Sequence, residues 1–131
     1  MARYFYVDEN EGGDLTGDQS YSSPQTGSMA TLGNTRVYNS YWDLISEVTL
    51  TDGDYVLVAH DHDESGPAGT ALTTNAGGIL YTGSGLIMMS VDDENVERYL
   101  KGARLRASGT ATDIQFSRNG IAAGFVFNHT D

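Results

Sequence analysis

The feature that most constrains the fold is the run Leu86-Ile87-Met88-Met89-Ser90-Val91, which is apolar at all but one position and does not alternate. A strand with one solvated face alternates between apolar and polar residues, whereas a strand covered on both faces is continuously apolar, which is typical of parallel sheets. Parallel strands need long crossovers, usually helices, yet the stretches between the candidate strands after Gly53 are too short for helices. Short parallel strands still form if the chain coils and each turn stacks on the last.

The candidate strands after Gly53 are short and are bounded by Gly, Asn or Asp. The strongest is Asp54-Tyr55-Val56-Leu57-Val58-Ala59, which follows the Asp52-Gly53 turn signal. The stretch from Val91 to Gly102 is predicted to be a loop with one short helical turn. We therefore predict a mainly β fold, a short parallel β-helix-like coil, with an antiparallel β-sandwich as the alternative because it also uses many short strands. The remaining candidate strands are Thr70 to Thr74, Leu86 to Val91, Ala103 to Ala107, Asp113 to Ser117 and Gly124 to Asn128.

The first 53 residues carry different signals. Tyr4-Phe5-Tyr6-Val7 joins aromatic and β-branched residues and predicts an opening strand. The segment from Asp8 to Asn34 consists mostly of Asp, Gly, Ser, Thr and Gln without a period, so we expect a long loop that is functional or wraps the domain. A helix is predicted over residues 41–48, because the apolar residues from Trp42 to Val48 recur at helical spacing.

Ser40 is predicted to be the N-cap of this helix, and Asp43, three residues later, to accept from the Ser40 amide in a capping box. An amphipathic helix must lie on another element, so we expect it to cap one end or flank of a sheet. The length of 131 residues fits one domain. Within it, residues 1–53 are expected to form the opening strand, acidic loop and capping helix, and residues 54–131 the stacked short strands.

Four pieces of the N-terminal half occur in an order that resembles the start of right-handed parallel β-helix proteins of the pectate-lyase-like kind. An aromatic strand ends in Val7-Asp8, and a Gly/Asp/Ser loop follows from Gly12 to Ser20, with Pro24 beyond it. The predicted helix comes next, and the segment from Asp52 to Ala59 is similar to that family's first rung. The opening strand, the acidic loop and the segment DGDYVLVAHDH together also look like short structural proteins of tailed bacteriophages.

The resemblance implies a non-enzymatic bacteriophage virion structural protein, with a capsid decoration (cement) protein that stabilises the head as the leading hypothesis. Its partners would be other virion proteins, either the major capsid protein or tail proteins, and a homo-oligomer is expected, with a trimer favoured. One alternative is the particle-binding N-terminal region of a tail fibre or tailspike. The others are a fragment of a carbohydrate-active β-helix enzyme and a calcium-dependent carbohydrate-binding module.

Charge and composition narrow the function classes. Seven basic residues against 18 acidic ones leave a net charge of −11, which disfavours a nucleic-acid partner because an acidic surface repels the phosphate backbone. No apolar run approaches the ~20 residues that cross a bilayer, so no membrane segment is predicted. The chain has no cysteine, which excludes disulfides, thiolate zinc sites and a cysteine nucleophile.

Two clusters have the residue types of a metal site. In His60-Asp61-His62-Asp63-Glu64, two imidazoles on one face of a continuing strand could hold zinc, but a polar strand end before a turn is the preferred interpretation. Asp8, Asn10, Gly12 and Asp14 imitate the alternating oxygen ligands of a calcium loop, but the acid that closes such a loop is absent, so a solvated turn is preferred. We therefore predict no catalytic, cofactor-binding or metal-binding residue.

Three other groups have a structural interpretation beside a functional one. Tyr38, Tyr41 and Trp42 could stack on a sugar, but packing in the core of the cap is preferred. The segment after Ala107 is apolar and has no acid between Asp113 and Asp131, so we expect it, with Phe125 as its test position, to form an interface or to fill the last rungs. Acids and bases for polysaccharide cleavage are present without suitable spacing and are interpreted as local ion pairs: Asp92, Asp93, Glu94, Arg98, Lys101, Arg104 and Arg106.

Overall fold

The computed structural model describes residues 2–66, 72–73, 85–108, 114–115 and 120–130. The opening part holds β1 (Tyr4–Val7), α1 (Met29–Leu32), β2 (Val37–Tyr38) and α2 (Tyr41–Glu47). The strands that follow are β3 (Tyr55–Ala59), β4 (Asp63–Ser65), β5 (Leu72–Thr73), β6 (Ile87–Asp92), β7 (Asn95–Tyr99), β8 (Arg104–Ser108), β9 (Ile114–Gln115), β10 (Ile121–Ala123) and β11 (Val126–Thr130). Neither of these two helices has the length and apolar composition needed to cross a bilayer.

Parallel pairing dominates the described strands. Sheet 1 has the order β10-β6-β3-β1-β2, sheet 2 has the order β11-β8-β4, and sheet 3 pairs β5 with β9. Seven of the eight strand pairings are parallel, and the exception is the β6–β7 hairpin. The fold is therefore mainly β with parallel sheets, as predicted, and the antiparallel sandwich is wrong for this part of the chain.

Most predicted elements lie where they were expected, and five elements were missed. The opening strand and the helix at residues 41–48 are confirmed as β1 and α2, while α1, β2, β4, β7 and β10 were not predicted. The loop with a helical turn predicted from Val91 to Gly102 is wrong, because β6 and β7 form a hairpin there. Its turn is held by Asp92 Oδ1, which accepts from the Glu94 amide at 2.9 Å. Only Val96 of β7 is buried, so the sequence of this segment lacks the alternation of apolar and polar residues that predicts a strand. Parts of the predicted strands at 70–74 and 113–117 lie outside the described residues.

Sheet 1 separates two apolar clusters. On one face Phe5, Val56 and Met88 lie in register on adjacent strands and join the cluster that includes helix α2 and strand β8. On the other face Val91 of the same β6 strand packs with Tyr6 and with residues of the N-terminal loop. Both faces of β6 are thus covered, which is the reason for its unbroken apolar sequence, and each fully buried large side chain contributes about 1.5–3 kcal/mol.

Helix α2 lies on the first cluster and is anchored at its N-terminus. Tyr41 and Leu44 are buried, and the Ser40 hydroxyl accepts from the Asp43 amide at 2.9 Å, which confirms the predicted N-cap. The predicted capping box is incomplete, because the Asp43 carboxylate accepts from the Leu15 amide at 3.2 Å. The helix thereby also fixes the N-terminal loop, and it ends where the backbone of Val48 becomes extended.

Candidate functional site

Three neighbouring strands of sheet 1 end at the same edge with acidic residues. Asp8 follows β1, His60 and Asp61 follow β3, and Asp92 and Asp93 lie at the end of β6. The three strands are adjacent and parallel, with Val7 opposite Val58 and Ala59 opposite Val91. Because parallel strands share the direction of their carboxyl ends, residues far apart in the sequence meet at this edge.

Asp8, Asp61 and Asp93, hereafter the carboxyl-end cluster, each place one carboxylate oxygen within 4.8 Å of the other two. The Asp8 side chain is buried, Asp61 is exposed and Asp93 is half-buried. Asp8 Oδ1 accepts from the Asn10 amide at 2.9 Å, but the buried Oδ2 has no hydrogen-bond partner among the described residues. Burial raises the pKa of Asp8, and the carboxylates of Asp61 and Asp93 raise it further, although the Asn10 amide lowers it.

A second acidic group at this edge is already satisfied by the chain itself. His60, Asp92 and Asp93 also place ligand atoms within 4.8 Å of one another. However, His60 Nε2 lies 3.2 Å from Asp93 Oδ1, and the Arg98 guanidinium pairs with Asp92 Oδ2. The hydrogen bond from the Glu94 amide and then the one from Arg98 lower the pKa of Asp92. Arg98 therefore supplies the cation for Asp92, as predicted for a local ion pair.

His62 has a structural role. The chain turns at His60 and Asp61 after the end of β3, so the two imidazoles do not share a strand face. His62 is buried, and its Nδ1 accepts from the Glu9 amide at 3.0 Å. A backbone amide only donates, so Nε2 carries the proton and donates to Glu64 Oε1 at 2.5 Å. Both ring nitrogens are engaged, so neither is available for zinc, and His62 is a buried residue before β4 rather than part of a polar strand end.

Several of the residues considered for carbohydrate chemistry pack in the core or form ion pairs. Tyr38 and Tyr41 are fully buried, and Tyr38 Oη donates to the Gly17 carbonyl at 2.6 Å, so the packing interpretation is confirmed for both. Arg106 makes a two-pronged ion pair with Asp63 at 2.9 and 2.7 Å between β8 and β4. This pair was not predicted, because Asp63 was assigned to a strand end and not to a paired strand.

One open surface depression of about 480 Å³ lies beside the N-terminal loop, with Arg3 and Arg36 in its wall. Both arginines are engaged. Arg3 binds the Asp54 carboxylate through Nη2 at 2.6 Å and through Nε at 3.1 Å. Arg36 lies 3.9 Å over the Tyr21 ring and donates to the Ser20 carbonyl at 2.7 Å. The depression therefore offers no uncommitted guanidinium for an anionic ligand.

The outer edges of β10 and β11, hereafter the terminal edge, form a second candidate site. Each of these strands pairs on one side only within the described part of the chain. Ile121 is 56% exposed and Val126 is 41% exposed. Phe125 and Phe127 stack at 5.5 Å and pack against the first apolar cluster. The predicted test position Phe125 therefore belongs in part to the core, and Ile121 and Val126 carry the exposed apolar surface.

No family model, curated protein or solved structure matches the chain. Because no similar protein suggests a function, the function is inferred from the carboxyl-end cluster and the terminal edge. Sequence reasoning missed the cluster, because Asp8 and His60-Asp61 were considered as separate metal candidates. The available signal was that Val7, Ala59 and Val91, each at or next to the end of an apolar strand, are all followed by polar residues that include an acid.

Proposed function

We propose that the protein is a non-enzymatic structural protein of a bacteriophage virion, a capsid decoration protein that stabilises the head. The observation that carries the proposal is the terminal edge, where exposed Ile121 and Val126 lie on strands without an outer neighbour among the described residues. Exposed strand edges pair readily with another chain. The assignment of the protein to a virion rests on the resemblance of its N-terminal half to phage structural proteins.

The finer fold that we infer is a short right-handed parallel β-helix. The strands follow one another along the chain as β3, β4 and β5, then β6, β8 and β9, then β10 and β11. In this order they belong to sheets 1, 2 and 3, again to sheets 1, 2 and 3, and finally to sheets 1 and 2. This repeated order supports a coil whose turns stack, and a stack exposes an apolar cross-section at its last turn unless it is covered.

The distribution of charge also supports the last turn of the stack, which holds β10 and β11, as the contact surface. The chain has a net charge of −11, so two copies repel each other over most of their surface. The segment between Asp113 and Asp131, which contains β10 and β11, has no acidic residue. Interfaces are depleted of charged residues at their centre. We infer a homo-oligomer, a trimer in the first place, that contacts the major capsid protein or tail proteins through this surface.

Mass spectrometry of purified particles of the phage that encodes the chain tests the proposal. Separate head and tail fractions are digested, and the copy number of the chain is counted against the major capsid protein. Many copies in the head fraction are expected. A few copies confined to the tail fraction would support a fibre or tailspike attachment region instead, and absence from both fractions would contradict a virion role.

A further inference from the structure

We propose that Asp8, Asp61 and Asp93 bind a hard divalent cation, Ca²⁺ in preference to Mg²⁺, where the strands β1, β3 and β6 end. The proposal does not depend on the virion role. It rests on the carboxylate geometry of the carboxyl-end cluster and on the unpartnered oxygen of Asp8.

The buried Asp8 carboxylate is the observation that separates this cluster from an ordinary acidic surface. Its side chain has no exposed area, yet Oδ2 accepts no hydrogen bond in the described part of the chain. A buried charged oxygen without a partner is costly, and Asp61 and Asp93 each place a carboxylate oxygen within 4.8 Å of an Asp8 oxygen. A bound cation would neutralise this charge and would give Oδ2 a ligand bond.

No arginine or lysine pairs with Asp8, Asp61 or Asp93 in the described part of the chain. Arg98 is paired with Asp92, and His60 Nε2 faces Asp93 Oδ1 at 3.2 Å. His62 has its Nδ1 on the Glu9 amide and its Nε2 on Glu64. The cluster therefore has three carboxylates, with the imidazole of His60 beside Asp93 and that of His62 near Asp8.

The ligand chemistry selects the class of cation. Three carboxylates are an all-oxygen donor set, which suits Ca²⁺, Mg²⁺ and Mn²⁺ better than zinc. Ca²⁺ takes about 6–8 oxygen ligands in flexible geometry at ~2.3–2.6 Å, whereas Mg²⁺ demands a near-ideal octahedron at ~2.0–2.1 Å. Three carboxylates that follow three different strands and lie within 4.8 Å of one another suit the ion with the more permissive geometry, Ca²⁺. Asn10 Nδ2 donates to Asp61 Oδ2 at 3.3 Å and so holds this carboxylate beside the N-terminal loop.

A cation at this position would join the start of the N-terminal loop to two stacked turns. Asp8 opens the loop, Asp61 follows β3, and Asp93 follows β6. The bound cation would hold the start of the N-terminal loop against the ends of β3 and β6 and would thereby stabilise the fold. Its ligands follow three different strands, so it differs from the calcium loop of Asp8, Asn10, Gly12 and Asp14, for which the sequence favours a solvated turn instead.

Isothermal titration calorimetry with CaCl₂ on the EDTA-treated full chain tests the proposal. We expect one Ca²⁺ per chain, weaker binding of MgCl₂, and a melting temperature that rises with CaCl₂ because a ligand that binds only the folded state stabilises it. Asp61→Asn removes one ligand at an exposed position and should weaken Ca²⁺ binding at least tenfold without loss of the fold. Asp8→Asn should do the same if it folds.

Glu97→Gln is the matched control, since Glu97 is an exposed acid on β7 outside the cluster and its loss changes the net charge equally. It should leave Ca²⁺ affinity within twofold of wild type. The proposal is overturned if neither CaCl₂ nor MgCl₂ gives heat or a melting shift, or if Mg²⁺ binds more tightly. It is equally overturned if Asp61→Asn, correctly folded by circular dichroism, binds Ca²⁺ as wild type does.

Discussion

Removal of Glu64 should destabilise the protein more than a surface substitution, because this carboxylate caps helix α2 from β4. Its Oε1 accepts from the Tyr41 amide at 2.6 Å, and its Oε2 accepts from the Trp42 amide at 3.1 Å. It also accepts from His62, which in turn holds the Glu9 amide. The Glu64 side chain is only 9% exposed. One side chain thus connects the helix, the strand end and the N-terminal loop.

The magnitude follows from the three donors that lose their acceptor in Glu64→Ala. Each buried donor left without an acceptor costs ~1–3 kcal/mol, and water that enters the vacated space recovers part of this cost. We expect a loss of about 3 kcal/mol in the free energy of unfolding. Glu64→Gln keeps one acceptor oxygen but turns an amide NH₂ toward a donor, so a loss of about 1.5 kcal/mol is expected.

Urea unfolding followed by Trp42 fluorescence measures both variants, because Trp42 is the only tryptophan and lies in α2. Glu97→Ala, an exposed acid on β7, is the control and should stay within ~0.5 kcal/mol of wild type. A loss below ~1 kcal/mol for Glu64→Ala, with an unchanged denaturant slope, would refute the role assigned to this network.

Two further predictions concern helix α2. Ser40→Ala removes the N-cap and should lower the free energy of unfolding by about 0.5–2 kcal/mol. Ser46→Ala removes only an exposed hydrogen bond from the hydroxyl to the Trp42 carbonyl and should lower it less in the same urea experiment. Equal losses would contradict the role of Ser40 as the N-cap. Asp43→Asn should raise the melting temperature at pH 7, because burial and then the neighbouring Asp14 raise the pKa of Asp43. Because the pKa of Asp43 is raised, the folded state loses stability as the pH rises from the ordinary value of 3.8 through the folded-state pKa. The gain in melting temperature from Asp43→Asn should therefore shrink as the pH falls toward 3.8. A gain that is independent of pH would contradict this cause.

The sequence predicts elements whose signal is local. The aromatic strand β1, the strand β3 after its Asp-Gly turn, the apolar strand β6 and the amphipathic helix α2 were all predicted near their observed bounds. Strand β4 was missed because it is polar and exists through its pairing with β8, where Asp63 meets Arg106. Such pairing depends on residues far away in the chain, which a local pattern does not contain.

The two candidate sites also differ in how far the sequence alone predicts them. The apolar, acid-poor end of the chain is visible in the composition, although only the structure distinguishes exposed Ile121 and Val126 from Phe125, which packs on the core. The carboxyl-end cluster requires the neighbour relation of β1, β3 and β6. Without that relation, Asp8 and Asp61 belong to two unrelated polar segments.

Sedimentation velocity of the wild type beside Ile121→Asp tests the central claim, assembly through the terminal edge, most directly. Ile121 is 56% exposed, so an aspartate there should leave the far-UV circular dichroism unchanged while it places a charge in the proposed interface. Glu97→Gln serves as the surface control. We predict that the wild type and the control sediment as a trimer of the 14.1 kDa chain and that Ile121→Asp sediments as a monomer. A wild type that sediments as a monomer, or an Ile121→Asp variant that remains trimeric, would contradict the claim.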